Sequence, residues 1–338
     1  MRILPATLLG KNSSVERSDR KMKRGILLLN FGGPWTISDV KPFLYRLFSN
    51  PRVLVGVPTP LRQALAFTIA QLKGPSSKKS YRKIGGGSPQ LKWTAIQADG
   101  LRQLMPKDEV RVEIGMRSSE PSIETALRHL QFWGADELTL LPLFPQFSTT
   151  TTATCFDAVN EVLEKLSWRP TIRQIDKWPD HPAYISLLRA TLDQALREAA
   201  VASKESLHVL FSAHSLPMKI VERGDPYPDD IARTVKAVTS DLTDPWSLAF
   251  QSRNGKLRWL QPYIEDEIKR LGDNGVETLV IVPISFVSDH IETLFELDQL
   301  YADMARKHGI KNYYRARCFN DDSKFPTVLQ SIVMEAYA

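Results

Sequence analysis

Apolar residues along this chain alternate between two patterns. Short, nearly continuous aliphatic and aromatic runs recur as GILLLNF (25–31), ELTLLPLF (137–144), LHVLFS (207–212) and VIVPISF (280–286). Such runs suit strands buried on both faces of a parallel sheet. Between them the apolar positions fall at helical spacing. Val40, Phe43, Leu44, Leu47 and Phe48 form one stripe, and residues 122–133 another, closed by Gly134. Shorter runs predict strands at 110–116, 171–175, 247–252 and 313–318, and helices at 89–104, 154–166, 262–271 and 324–337. Strand and helix therefore alternate throughout, which predicts an α/β fold on parallel sheets. The pattern renews near 171, after Trp168, Arg169 and Pro170. The expected organisation is a tail without fixed structure at 1–23, an α/β domain at 24–170 and a similar one at 171–338, with the last helix packing back on the first.

In an open parallel sheet, ligands bind beyond the carboxyl ends of the strands. One such end leads into SDHIETLFELDQLY (288–301), where Ser288 or Asp289 can cap an α-helix. His290, Glu292 and Glu296 lie just past it, and the two carboxylates share a helix face at i, i+4. An imidazole with two carboxylates suits a proton or a cation. A second end carries His214 in a turn closed by Pro217, a natural place for a general base. Trp259 is either core packing or an aromatic wall.

Three other stretches stay open on pattern alone. SYRKIGGGSP (80–89) is either a flexible loop with a basic edge or an anion-binding helix entry, with Tyr81, Arg82 and Lys83 beside it. Residues 61–72 (LRQALAFTIAQL), closed by Lys73, Gly74 and Pro75, are a core helix or an exposed apolar lip. His181, after a strand, is a helix cap or a functional group. The first strand ends in Gly32, Gly33 and Pro34, which is not the G-x-G-x-x-G dinucleotide fingerprint, so no nucleotide is inferred.

Charge and composition narrow the function. Net charge is +6, from 44 basic and 38 acidic residues. That mild excess fits a small anionic ligand or a weak attraction to a membrane surface, and argues against nucleic acid. No run of 18 apolar residues exists to span a bilayer. Cys155 and Cys318 are far apart, so neither a disulfide framework nor a Cys-rich metal site is expected, and a reducing cytoplasm is the default compartment.

Six segments, in order, resemble the motifs of one family, the ferrochelatases: LLLNFGGP (27–34), YRKIGGGSP (81–89), LFSAHSLP (210–217), ERGDPYP (222–228), FQSRNGKLRWLQPY (250–263) and PISFVSDHIETLFELD (283–298). The resemblance runs from Gly25 to the C-terminus. It implies two similar Rossmann-like domains, each a parallel sheet flanked by helices, with a porphyrin cleft between them. It implies insertion of Fe²⁺ into protoporphyrin IX with release of two protons, as the last step of haem synthesis, without ATP or an organic cofactor. The alternatives are the same chemistry on coproporphyrin, or porphyrin or haem binding without catalysis.

By the same resemblance His214 and Glu292 are the catalytic and metal-handling residues, on opposite faces of the macrocycle, with His290 beside Glu292. A neutral imidazole can accept a pyrrole proton and a carboxylate can hold a ferrous ion or relay protons, and which of His214 and Glu292 does which stays open. Phe31, Phe144, Trp259 and Phe286 would wall the ring. Lys73, Tyr81 and Ser88 would meet the propionate side, with Arg117 in the pocket and Gln251 and Ser252 near its rim. Glu296 and His181 are candidate relays. Relatives with a [2Fe–2S] cluster carry a Cys-rich extension, and with Cys318 alone in that region no cluster is expected. Leu300 stands where some relatives have a third acid, so the relay is expected to stop at Glu296. Residues 61–72 match the family's active-site lip, which makes peripheral contact at the inner face of a membrane the one association expected besides the substrates.

Overall fold

Among the described residues, two four-stranded sheets, every pairing parallel, carry the chain. The computed structural model describes residues 21–202, 206–253, 255 and 257–338, so most of the expected tail lies outside the described residues. The first sheet contains β1 (Arg24–Asn30), β2 (Val110–Met116), β3 (Glu137–Pro142) and β4 (Thr171–Gln174) in the order β2-β1-β3-β4. The second contains β5 (Leu207–His214), β6 (Trp246–Gln251), β7 (Thr278–Pro283) and β8 (Asn312–Arg315) in the order β6-β5-β7-β8. The two orders are the same topology repeated. In each, the chain reverses direction across the sheet beside its central pair, β1/β3 and β5/β7, which creates a crevice at those carboxyl ends.

Helices α1 (Val40–Phe48), α2 (Thr59–Arg82), α3 (Gln90–Leu104), α4 (Ile123–Trp133) and α5 (Thr152–Lys165) belong to the first half. Helix α6 (Pro182–Ala202) leads into the second half, followed by α7 (Met218–Val221), α8 (Tyr227–Val238), α9 (Ile264–Asp273), a π-helix (Glu292–Tyr301), α10 (Ala302–Lys307) and α11 (Phe325–Tyr337). Alternation along the central strands explains the layers. Ile26 and Leu28 of β1 share one apolar core with Val209 and Phe211 of β5, Val280 and Val282 of β7, Leu192 of α6 and Leu329 of α11. The residues alternating with them pack the outer layers: Leu27 and Leu29 with α4 and α5, and Leu210, Leu279 and Ile281 with α9 and the π-helix. Helix α11 packs on α3, where Pro326 lies against Gly100.

The structure corrects four expectations. The strand at 171–174 pairs with β3 and completes the first sheet; it does not open the second. Its pattern marks a strand but carries no information about which sheet receives it. The 61–72 helix does not stop at Lys73 but continues through Pro75 to Arg82. Proline there removes an N–H bond and crowds the carbonyl one turn back, but Ala66, Ala70 and Gly74, buried at four-residue spacing, hold the helix against α1. His214 is the last residue of a strand rather than part of the turn after it. The helix after β7 is wound as a π-helix, not an α-helix.

The glycine tract has a backbone reason. Gly85 and Gly86 have φ of +102° and +95°, and a Cβ on Gly87 would stand 2.0 Å from the Trp35 carbonyl oxygen. The loop can thus lie on the turn after β1, where the Ser88 N–H donates to the Pro34 carbonyl at 2.7 Å.

Candidate active site

The carboxyl ends of β5, β6 and β7 converge on one cluster. Strand β5 delivers His214, β6 delivers Gln251, and the turn after β7 delivers Ser285, Phe286 and His290 before the π-helix opens with Glu292. Pairing of Ser212 with Pro283 sets the two central strand ends side by side.

Glu292 joins two imidazoles. Its Oε1 is 3.3 Å from His214 Nε2, and its Oε2 is 2.7 Å from His290 Nε2. The far side of each ring meets a backbone carbonyl: His214 Nδ1 faces Ser215 O at 2.6 Å, and His290 Nδ1 faces Ser288 O at 3.1 Å. A carbonyl only accepts, so Nδ1 of His214 carries a proton. The His214 backbone N–H donates to Ser285 Oγ (2.9 Å), which bonds the hydroxyl of buried Tyr227 (2.9 Å). The Phe286 ring fills the angle between the imidazoles, with its centroid 6.3 Å from His214 and 4.5 Å from His290.

Charge follows from this packing. Burial works against an imidazolium at His214, but the adjacent Glu292 carboxylate outweighs it and raises the pKa to about 9. Burial likewise opposes ionisation of Glu292, and His214 and His290 together overcome it, holding the carboxyl well below its ordinary range. One π-turn further, Glu296 is pushed up to about 7, first by burial and then by the charge of Glu292. Ser252 Oγ (2.5 Å) and Gln251 Nε2 (3.2 Å) both donate to Glu296 Oε2. The group poised near neutrality is therefore Glu296 rather than His214.

The expectation of opposite faces meets a geometric objection. A macrocycle between His214 and Glu292 needs about 7 Å, one van der Waals contact on each side. The two side chains touch.

Other expected residues take varied places. Tyr81, at the end of α2, is buried beside Ile291 and feels the charge of Glu292; burial and that charge push its phenol pKa up. Trp259 pairs in a short antiparallel bridge with Pro217, close after His214. Lys73 is half-buried on α2, which lowers its pKa. Phe31 and Arg117 follow β1 and β2 at the end of the first sheet, where Arg117 Nε donates to Thr154 O at 3.0 Å. Ser88 borders the same sheet end, and Phe144 packs toward the α4–α5 core. Among the described residues no hydrogen bond or ion pair ties Phe31, Ser88, Arg117 or Phe144 to the His214 cluster. His181 is not in it either: its Nε2 lies 2.9 Å from Glu335 on α11. Sequence reasoning missed Ser285 and Tyr227, which hold His214 in place. Tyr227 sits in a stretch whose prolines and aspartates signal only a turn.

Two repeats of one parallel fold, with two imidazoles and two carboxylates gathered beyond the strand ends of the second, define a protein of the chelatase fold. The chain belongs to the ferrochelatase family, whose model matches residues 23–337, and its activity is that of a metal chelatase, a lyase placing iron in a porphyrin. A ferrochelatase from a Picosynechococcus species is 40% identical, covering 92% of this chain and 82% of its own. One from a Synechococcus species is also 40% identical, covering 92% of this chain and 93% of its own. Among solved structures, SirB from Bacillus subtilis with Fe³⁺ shares the fold with a TM-score of 0.56 at 14% identity, over 94% of this chain and 96% of that one.

Proposed function

We propose that the chain inserts Fe²⁺ into protoporphyrin IX, with the His214–Glu292–His290 cluster as its reactive centre. The observation that carries this reading is Glu292 bridging two imidazoles at the crevice of the second sheet. A carboxylate held ionised by two imidazoles attracts a hydrated ferrous ion, which is a hard to borderline cation suited to oxygen and imidazole. As the cation takes up the charge of Glu292, it weakens the hold on the His214 proton. The imidazole then releases its Nε2 proton to solvent, becomes neutral and can receive a pyrrole proton. Glu296, fixed by Ser252 and Gln251, accepts protons near neutral pH and passes them outward. His214 and Glu292 touch, so they act from one side of the ring or part as it enters.

Phe286 and Trp259 would supply ring walls beside this centre, and Phe31 and Arg117, at the end of the first sheet, would meet the ring from the other half. Leu61, Leu65, Phe67 and Leu72 are exposed on α2. They favour an apolar porphyrin over one with four carboxylates, and offer a peripheral contact to a membrane; no helix among the described residues is long and apolar enough to cross one. A cytoplasmic enzyme without a resident cofactor fits this reading.

The test is porphyrin fluorescence during incubation with Fe²⁺ or Zn²⁺, without ATP, using protoporphyrin and coproporphyrin side by side. Quenching should be faster with protoporphyrin, and His214→Ala should bind porphyrin but not metallate it. Equal or faster turnover of coproporphyrin overturns the substrate, and normal turnover by His214→Ala overturns the proton role.

A further inference from the structure

Arg315 ends the edge strand β8, and its side chain is only 11% exposed. Its guanidinium forks onto Asp298, with Nε to Oδ1 at 2.5 Å and Nη2 to Oδ2 at 3.0 Å. The remaining nitrogen, Nη1, lies 3.0 Å from Oδ1 of Asp289, also 11% exposed. Asp289 is pinned again by Asn320, whose Nδ2 donates to Oδ2 at 2.7 Å while the Asp289 N–H donates to Asn320 Oδ1 at 2.8 Å. The Asn320 carbonyl in turn accepts from Gln97 of α3.

One buried cation thus grips the chain at two places. Asp289 immediately precedes His290, and Asp298 lies in the π-helix just beyond Glu296. Every titratable group proposed for the second-sheet side of the reaction, apart from His214, lies between the two grips. A π-helix is uncommon because its winding is less favourable than α, so ten residues of it need an external hold. Burying a guanidinium with two carboxylates is poor value for stability, since desolvation cancels much of the attraction. What such a network can supply is register.

We propose that Arg315 is a positioning residue for the reaction: by spanning Asp289 and Asp298 it sets the winding of the π-helix, and so places His290 and Glu292 against His214 and Glu296 against Ser252. It does not touch substrate. The inference rests on the reading of Glu292 as part of the reactive centre.

Arg315→Lys keeps the charge but cannot fork onto one carboxylate while reaching another. Well below its melting temperature it should bind porphyrin normally and show an unchanged porphyrin KM. Its kcat should fall about ten- to a hundred-fold, the scale of a sub-ångström to ångström misplacement. Asp298→Asn keeps the shape and removes one charge, and should lower kcat less, again at constant KM. The double variant should be no worse than Arg315→Lys alone, because both break the same link. A folded Arg315→Lys with kcat within about twofold of wild type, or a loss appearing only as raised KM, overturns the proposal. Should Arg315→Lys not fold, unchanged kcat in Asp298→Asn overturns it equally. Glu292→Gln is measured alongside: normal turnover there removes the underlying reading and this inference with it, whereas an inactive Glu292→Gln beside a normal Arg315→Lys removes this inference alone.

Discussion

Glu292 sets the protonation of its surroundings with one charge. It raises His214 to about 9 and helps raise Glu296 to about 7. Replacing it by Gln keeps the size and removes the charge. Burial, which favours the neutral ring, is then opposed only by the Ser215 carbonyl and the more weakly acting Glu296. The His214 resonance, followed by NMR against pH, should titrate near 9 in the wild type and at clearly lower pH in Glu292→Gln. An unchanged titration would mean that Glu292 is not the controlling charge. The stability linkage has a definite sign. The folded pKa of His214 is raised, so its contribution is fully present below the unfolded value near 6.5 and is lost as pH rises through about 9. Denaturation midpoints should show that loss in the wild type and not in Glu292→Gln.

At the scale of elements, α2 shows what periodicity leaves open. Residues 61–72 are apolar nearly all round, so pattern alone cannot orient the helix. Packing decides it by size: Ala66, Ala70 and Gly74 face inward, and Leu61, Leu65, Phe67 and Leu72 face out. Phe67→Ser and Leu72→Ser should each change stability by no more than about 0.5 kcal/mol, as exposed substitutions do. Ala70→Leu should cost about 1–3 kcal/mol by overpacking against α1. Thermal melts separate these outcomes, and a large loss from Leu72→Ser would mean the lip is covered. The strands around the site were legible because buried parallel strands read as continuous apolar runs, and His214 and Glu292 were legible because their motifs resemble a known family. The π-helix was not legible. Ile291, Leu294, Phe295 and Leu297 suit an α-helix, and the wider winding depends on tertiary partners such as Arg315 that lie elsewhere in the sequence. Glu296 was visible as a carboxylate, but its shift depends on burial and on Ser252, which spacing does not encode.

The whole molecule is two repeats of one topology, yet not two independent cores. The shared apolar core runs from β1 through α11 and α6 to β5 and β7, so neither sheet is fully covered without the other half. The seam is closed by Asp225, which is 5% exposed. Its Oδ2 accepts from Ser148 Oγ (3.0 Å), the Thr149 N–H (2.7 Å) and Thr149 Oγ1 (2.6 Å), and its Oδ1 accepts from the Tyr227 N–H (3.0 Å). The hydroxyl run after β3 is thereby tied to the start of α8, the helix that carries Tyr227 under His214. Asp225→Ala would strand several donors, each worth about 1–3 kcal/mol when buried without a partner. Some would rotate to water, so a net loss of about 2–4 kcal/mol is expected. Because the core is common, that loss should lower one cooperative unfolding transition as a whole rather than split it into two. Calorimetry distinguishes the cases: a single peak moved to lower temperature fits a shared core, while a new low-temperature peak would mean that the two sheets unfold separately and that the seam, not the core, joins them.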